Sequence, residues 1–384
     1  MTTSVLKATL TQRQSDCRNK RGRELTLKIF SPLYPGIPTL IYRSLMTGRN
    51  LLYDLIPALS QAVAIPVICV GNLSTGGTGK TPMTAYLADY FQAQGLNIAI
   101  LSRGYGRKAA RRPLLVTAAT KITPELAAEL GDEALMLRQQ LPSIPLVLDG
   151  NRVRGARRAG KELSPDLILL DDGFQHRRLR RNFNLLMIDS QKLFGNRRLL
   201  PTGPLRETLR ALSRADAVVF NKFDQRRRYF YKEAAEVCNY ISARRIFSAA
   251  YRFTHFTAGD GHRRSLSEMQ ALGPFCACSG LANNDYFFAQ LRTHGLAVEE
   301  TRSFADHHDY RAGDLRELRQ LCRDRPLLTT AKDAVKLVRL ARAQKAEAQL
   351  WVAEIALIPD REKDFLALFA DFINPEASLP EARP

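Results

Sequence analysis

Ile65-Pro66-Val67-Ile68-Cys69-Val70 runs straight into Gly71-Asn-Leu-Ser74-Thr75-Gly76-Gly77-Thr78-Gly79-Lys80-Thr81. An apolar strand, a glycine-rich turn and a Lys-Thr pair opening a helix follow one another. The helix is marked by the spacing of Met83, Leu87, Tyr90 and Phe91. Such a turn aims several backbone N–H groups into one concavity, and the helix dipole adds its positive end. The product is a cradle for a polyphosphate. Its expected residues are Ser74, Thr75, Gly76, Gly77, Thr78, Gly79, Lys80 and Thr81. Lys80 can reach β/γ oxygens and the Thr81 hydroxyl can hold Mg²⁺. Ser74 stands where the consensus loop begins with glycine; Gly76, Gly77 and Gly79 still allow positive φ.

Working outward, strand and helix patterns alternate. Strands are predicted at 65–72, 97–103, 113–117, 145–149, 166–171, 184–189 and 216–221, with helices at 79–94, 124–141 and 204–214. A basic helix-like stretch follows at 226–242. Residues 245–266, with Gly259-Asp-Gly261, read as a linker hairpin. Alternation resumes with strands at 275–279, 297–303, 326–330 and 349–357 and helices at 283–293, 312–322, 332–343 and 361–373. This pattern predicts an α/β fold with mainly parallel sheets and helices on both faces, and functional residues at the carboxyl ends of the strands. The expected division is an N-terminal segment 1–63, a phosphate-loop domain 64–244, the linker 245–266 and a smaller C-terminal α/β domain 267–384.

The 384 residues carry a net charge of +19, which attracts polyanions: nucleic acid, an anionic membrane or phosphorylated substrates. The scattered cysteines (Cys17, Cys69, Cys238, Cys276, Cys278 and Cys322) read as reduced thiols, since Cys276-Ala-Cys278 lacks a second pair for a zinc site. The polar, basic N-terminus lacks the apolar core of a secretory signal, and no run is long enough for a transmembrane helix. Residues 38–56 put Ile41, Leu45, Leu52, Leu55 and Ile56 near one helical face. That pattern fits a helix lying on a membrane or one packed on its own domain.

Several constellations can carry chemistry. Leu167-Ile-Leu-Leu170 ends in Asp171-Asp172-Gly173, a strand end suited to Mg²⁺. His176, in Gln175-His-Arg-Arg178, reads as part of a basic surface. Gly131-Asp132-Glu133 fits a helix cap or a catalytic pair. Ser102-Arg103-Gly-Tyr105-Gly-Arg107 fits a sugar- or phosphate-contacting loop or a plain turn. In Pro201-Thr-Gly-Pro204-Leu-Arg206-Glu207, Arg206 can clamp phosphate and Glu207 can assist a metal. Phe304-Ala-Asp306-His307-His308-Asp309 suits acid/base work, because adjacent histidines in a strand point to opposite sides. Thr329-Thr-Ala-Lys332-Asp333-Ala-Val-Lys336 suits an anion at a helix N-terminus, or helix capping. Asn221-Lys222-Phe-Asp224 matches a guanine-reading pattern; without an Asp-x-x-Gly switch it reads as a chance match.

Taken together, these motifs resemble the tetraacyldisaccharide 4'-kinase family of lipid A biosynthesis, in order and spacing, over about residues 65–340. The resemblance rests on Val70-Gly-Asn-Leu-Ser-Thr-Gly-Gly-Thr-Gly-Lys-Thr-Pro82, Ser102-Arg-Gly-Tyr-Gly106, Gly131-Asp-Glu133 and Asp171-Asp-Gly-Phe-Gln-His176. It extends through Gly203-Pro-Leu-Arg-Glu207, Phe304-Ala-Asp-His307 and Thr329-Thr-Ala-Lys-Asp-Ala-Val-Lys336.

The resemblance implies two α/β/α domains joined by a two-stranded β linker. It implies a kinase that moves the γ-phosphate of ATP to the 4'-hydroxyl of a tetraacyldisaccharide 1-phosphate, giving lipid IVA. Asp132 would be the base, paired with His307; Lys80 and Arg206 would act on the phosphates. Thr81, Asp171, Asp172 and Glu207 would serve Mg²⁺. The expected partners are an anionic glycolipid and the cytoplasmic face of the bacterial inner membrane, bound peripherally by a monomer and without nucleic acid. Basic clusters at Arg103–Arg112 and His176–Arg181 are candidates for the substrate 1-phosphate and lipid headgroups. The rival readings are a phosphate-loop GTPase and a nucleic-acid-stimulated ATPase.

Overall fold

The structure, a computed structural model, describes residues 36–104, 113–222, 234–281, 283–306, 308–343 and 349–374. Helix α1 (Ile37–Leu55) leads into the first lobe. There β1 (Val67–Asn72), α2 (Lys80–Ala93), β2 (Ile98–Ser102), β3 (Leu114–Val116), α3 (Pro124–Leu130), α4 (Asp132–Gln140), β4 (Leu146–Leu148), α5 (Arg152–Leu163), β5 (Leu167–Asp171), β6 (Phe183–Asp189) and β7 (Ala217–Asn221) follow in turn. The strand order β7-β6-β1-β5-β2-β4-β3 places β1 centrally, and β3 alone of these runs antiparallel, against β4. Every residue of β1 is buried. Its side chains alternate between two cores, Ile68 and Val70 on one face and Val67 and Cys69 on the other, as a strand covered on both sides requires.

The second lobe contains β8 (Ile246–Ala258), β9 (Arg263–Arg264), α6 (Leu266–Ala271), β10 (Phe275–Ser279), α7 (Asn284–Thr293), β11 (Val298–Ser303), α8 (Ala312–Cys322), β12 (Leu327–Thr330), α9 (Ala331–Ala343) and β13 (Leu350–Pro359). Its parallel strands lie in the order β11-β10-β12-β13, again between two apolar layers. Strand β8 joins the lobes. It pairs parallel to β7 from Ile246 to Ala249, then antiparallel to β13 from Ala249 to Ala258. The expected hairpin within 245–266 shrinks to two β8–β9 pairs; the long second strand of the linker is β13, nearly a hundred residues downstream.

Three expectations are corrected. The helix expected at 204–214 forms only as a 3₁₀ segment, Leu209–Arg214, because the backbone of 204–206 is bonded to the phosphate loop: Thr75 N donates to Pro204 O (2.8 Å) and Arg206 N to Leu73 O (2.7 Å). The helix expected at 124–141 breaks at Gly131 (φ 79°), so that Asp132 begins a new helix. The unit expected to end at 384 does not keep its last helices: α10 (Glu362–Leu366) and the segment after it return Phe365 and Phe369 to the first lobe, fully buried beside Phe91, Phe183 and Phe247. Among the described residues no helix is long and apolar enough to cross a membrane.

Candidate active site

Strand β1 delivers the chain to Asn72, whose side-chain amide donates to Ser74 O (2.6 Å) and Thr78 Oγ1 (3.0 Å) and so curls the loop back on itself. Gly79 closes it at φ 83°, where a Cβ would lie 2.1 Å from Asn221 Nδ2; only glycine fits. The first helical bond of α2 runs from Met83 N to Gly79 O, which leaves the amides of Lys80 and Thr81 at the helix mouth. Residues Thr75, Gly76 and Gly77 are exposed. A cavity of about 260 Å³ lies against Ser74–Thr78 and is closed by Asp189, Lys192 and Pro204. A larger cleft, about 1130 Å³, lies between the lobes along the flank of α2 (Tyr86, Asp89) and α9 rather than at the loop.

The register of β5 on β1 pairs Asp171 with Val70 and so sets both carboxylates beside the loop. Asp171 is buried, accepting from Thr84 Oγ1 (3.1 Å) and Thr81 Oγ1 (3.5 Å). Burial, with the charges of Glu133 and Asp172, pushes its carboxyl up to about 7. Asp172 behaves oppositely. Burial opposes its ionisation, but Lys80 (Nζ 3.6 Å away) and Arg206 (Nη1 3.0 Å) outweigh it and hold the carboxyl below its ordinary range. Thr81, Asp171 and Asp172 thus present hard oxygen donors side by side, and the charge of Asp171 is under-compensated, a set that fits Mg²⁺. Lys80 and Arg206 converge with them.

Glu207 does not join this group. Its buried carboxylate accepts from Arg214 Nη2 (2.8 Å) and Asn50 Nδ2 (2.6 Å), with Arg49 at 3.6 Å. Two guanidiniums already neutralise it, and these contacts give it a structural role beside the loop. The same contacts tie α1 to the site: Tyr42 OH donates to Arg206 O (2.9 Å) and Arg177 pairs with Asp54 (2.6 Å). The polar side of α1 faces the protein, while Ile37, Ile41, Leu45, Leu52 and Leu55 are 53–74% exposed.

Across the cleft, Asp132 at the first turn of α4 pairs with Lys336 of α9 (3.0 Å). Lys332 pairs with Asp306 (2.6 Å) and Lys336 also donates to His308 O (3.1 Å). The expected catalytic partner His307 lies outside the described residues, as do residues 105–112 of the Arg103 loop and Asp224. Asp333 anchors the start of α9, accepting from Gly280 N, Tyr310 OH and Thr330 Oγ1 (3.0, 3.0 and 2.7 Å). Thr330 Oγ1 in turn accepts from Asp333 N (3.1 Å), so the hydroxyl caps the helix.

Two groups of residues hold places in the fold that the sequence does not announce. Asn221 and Lys222, read as a chance match, brace the phosphate loop: Asn221 Nδ2 donates to Thr78 O (3.1 Å), and Lys222 Nζ to Gly77 O (3.1 Å) and Asp189 Oδ2 (2.8 Å). The motif itself was the signal. His176 is not simply surface. Burial and the neighbouring Arg152, Arg181, Arg178 and Arg103 lower it to about 4. Arg152, 4% exposed, completes this basic nest from α5.

Known proteins match this architecture. The family described as Tetraacyldisaccharide-1-P 4'-kinase (LpxK) matches residues 36–374. A tetraacyldisaccharide 4'-kinase of Halothermothrix orenii is 35% identical over 314 residues, covering 78% of this chain and 81% of its own. One of Geobacter sulfurreducens is 37% identical over 310 residues, covering 80% and 85%. The crystal structure of LpxK from Aquifex aeolicus, in complex with ATP, superposes with a TM-score of 0.68 at 31% identity, covering 87% of this chain and 97% of that one. The chain belongs to the tetraacyldisaccharide-1-P 4'-kinase family.

Proposed function

We propose that this chain transfers the γ-phosphate of ATP to the 4'-hydroxyl of a tetraacyldisaccharide 1-phosphate, forming lipid IVA in lipid A biosynthesis. The observation that carries the reading is the convergence of Lys80, Thr81, Asp171, Asp172 and Arg206 at one glycine-rich loop, opposite a lobe whose α9 reaches Asp132. Phosphoryl transfer asks a protein mainly for positioning and charge compensation. Lys80 and the loop amides hold the triphosphate. Arg206 faces the oxygens on which charge builds. Thr81, Asp171 and Asp172 would hold Mg²⁺, directly or through water, and the ion would supply compensation of phosphate charge.

A sugar hydroxyl is a weak nucleophile and gains from a base. Asp132 takes its proton as the hydroxyl oxygen bonds to the γ-phosphorus and the bond to the ADP oxygen breaks; His307 is its expected partner. The exposed apolar face of α1 rests in the cytoplasmic leaflet of the inner membrane as a peripheral anchor of a monomer, and basic side chains near the strand ends meet anionic headgroups. Asp132→Ala should cut kcat at least about 100-fold while ATP still binds. Turnover close to wild type would remove Asp132 from the mechanism.

A further inference from the structure

The mechanism leaves Lys336 without a task, although it touches both lobes. Its Nζ lies 3.0 Å from Asp132 Oδ2 on α4 and 3.1 Å from His308 O in the loop after β11. Its helix is held at the origin by Asp333, which fixes the first turn of α9 to Gly280 N and Tyr310 OH. Lys332, one turn earlier on the same face, pairs with Asp306 in that same loop. Lys336 therefore reaches Asp132 from a rigid base. Both partners are partly exposed, at 26% and 21% of their side-chain area, and a pair of that kind contributes little to stability. Its value lies in where it puts the carboxylate.

We infer that Lys336 is a positioning residue for phosphoryl transfer: it fixes the Asp132 carboxylate, and with it the closed approach of the two lobes, in the geometry that accepts the proton of the sugar hydroxyl. The inference rests on Asp132 being the base. Its ammonium donates to Asp132 Oδ2 and to the main-chain oxygen of residue 308 simultaneously, which holds the carboxylate in one orientation. Lys336 itself touches neither ATP nor acceptor in this scheme.

The test is a double-mutant cycle with γ-labelled ATP and tetraacyldisaccharide 1-phosphate in detergent, on the full chain, with thermal unfolding recorded for each variant. Lys336→Met should lower kcat about 50-fold with KM for ATP within about twofold of wild type. Lys336→Arg, which keeps charge and donors, should recover to within about fivefold of wild type. In the Asp132→Asn background, Lys336→Met should cost less than about threefold more, because the carboxylate it positions is already gone. Losses that multiply, or a Lys336→Met variant with half or more of wild-type kcat, overturn the inference while the assignment of Asp132 stands. An Asp132→Asn variant near wild-type turnover overturns the assignment and the inference with it. A Lys336→Met variant that loses its folding transition is replaced by Lys336→Gln, judged by the same cycle.

Discussion

The side-chain amide of Asn221 donates to the carbonyl of Thr78 across 3.1 Å, locking the end of β7 to the phosphate loop. The same nitrogen donates to Tyr251 OH (2.9 Å) on the strand that joins the lobes. Asn221→Ala leaves a buried loop carbonyl unpaired. About 1–3 kcal/mol is at stake, so KM for ATP should rise about tenfold. Steady-state kinetics at varied ATP measures this; an unchanged KM would mean that the loop keeps its shape without the brace.

Glu207 offers the clearest separation of structure from chemistry. Removing its carboxylate strands Arg214 and Arg49 around a buried gap. Glu207→Ala should destabilise the fold by about 3 kcal/mol or more and lower Tm by ~5 °C or more. The Mg²⁺ concentration for half-maximal activity should stay within about twofold. A large rise in the Mg²⁺ requirement at unchanged Tm would restore Glu207 to the metal set.

His176 gives the protein a proton-linked stability term. Its folded value, lowered to about 4 by burial and four arginines, lies below the 6.5 of a free histidine. Between those values the unfolded chain binds a proton that the folded chain refuses, so stability falls as pH drops from about 6.5 towards 4. The loss of Tm between pH 7.5 and pH 5 should therefore be smaller in His176→Gln than in wild type. Equal losses in both proteins would show that His176 is protonated in the fold.

The apolar face of α1 should carry membrane binding. Leu45→Asp with Leu52→Asp places charge on two side chains that are 66% and 53% exposed. Affinity for anionic lipid vesicles should fall at least about tenfold, while kcat in detergent stays within about twofold. Vesicle sedimentation gives the first and the radiolabel assay the second; undiminished binding would place the membrane contact elsewhere.

Most of the sheet was legible because buried strands announce themselves locally. β10 at Phe275–Ser279 coincides with the reading at 275–279, and β5 ends at the Asp171 singled out. What the sequence hid depends on distant partners. Pro204-Leu205-Arg206 looks like a helix start but spends its backbone on the phosphate loop. Glu207 looks like a free carboxylate until α1, some 157 positions earlier, supplies Asn50. Asn221 and Lys222 look accidental because the loop they brace lies 143 to 145 residues away. Local pattern reports propensity and burial, and it is blind to which remote group will satisfy a polar side chain.

The central claim is that the Lys80 loop passes phosphate from ATP to a lipid-linked sugar hydroxyl. Its most direct measurement incubates the protein with γ-labelled ATP and tetraacyldisaccharide 1-phosphate in detergent, followed by mass analysis of the lipid, beside a Lys80→Ala control. The account predicts a lipid that gains one phosphate at the 4' position with wild type and almost none with Lys80→Ala. An unmodified lipid with phosphate released to water, or label accepted from GTP in preference to ATP, would contradict it.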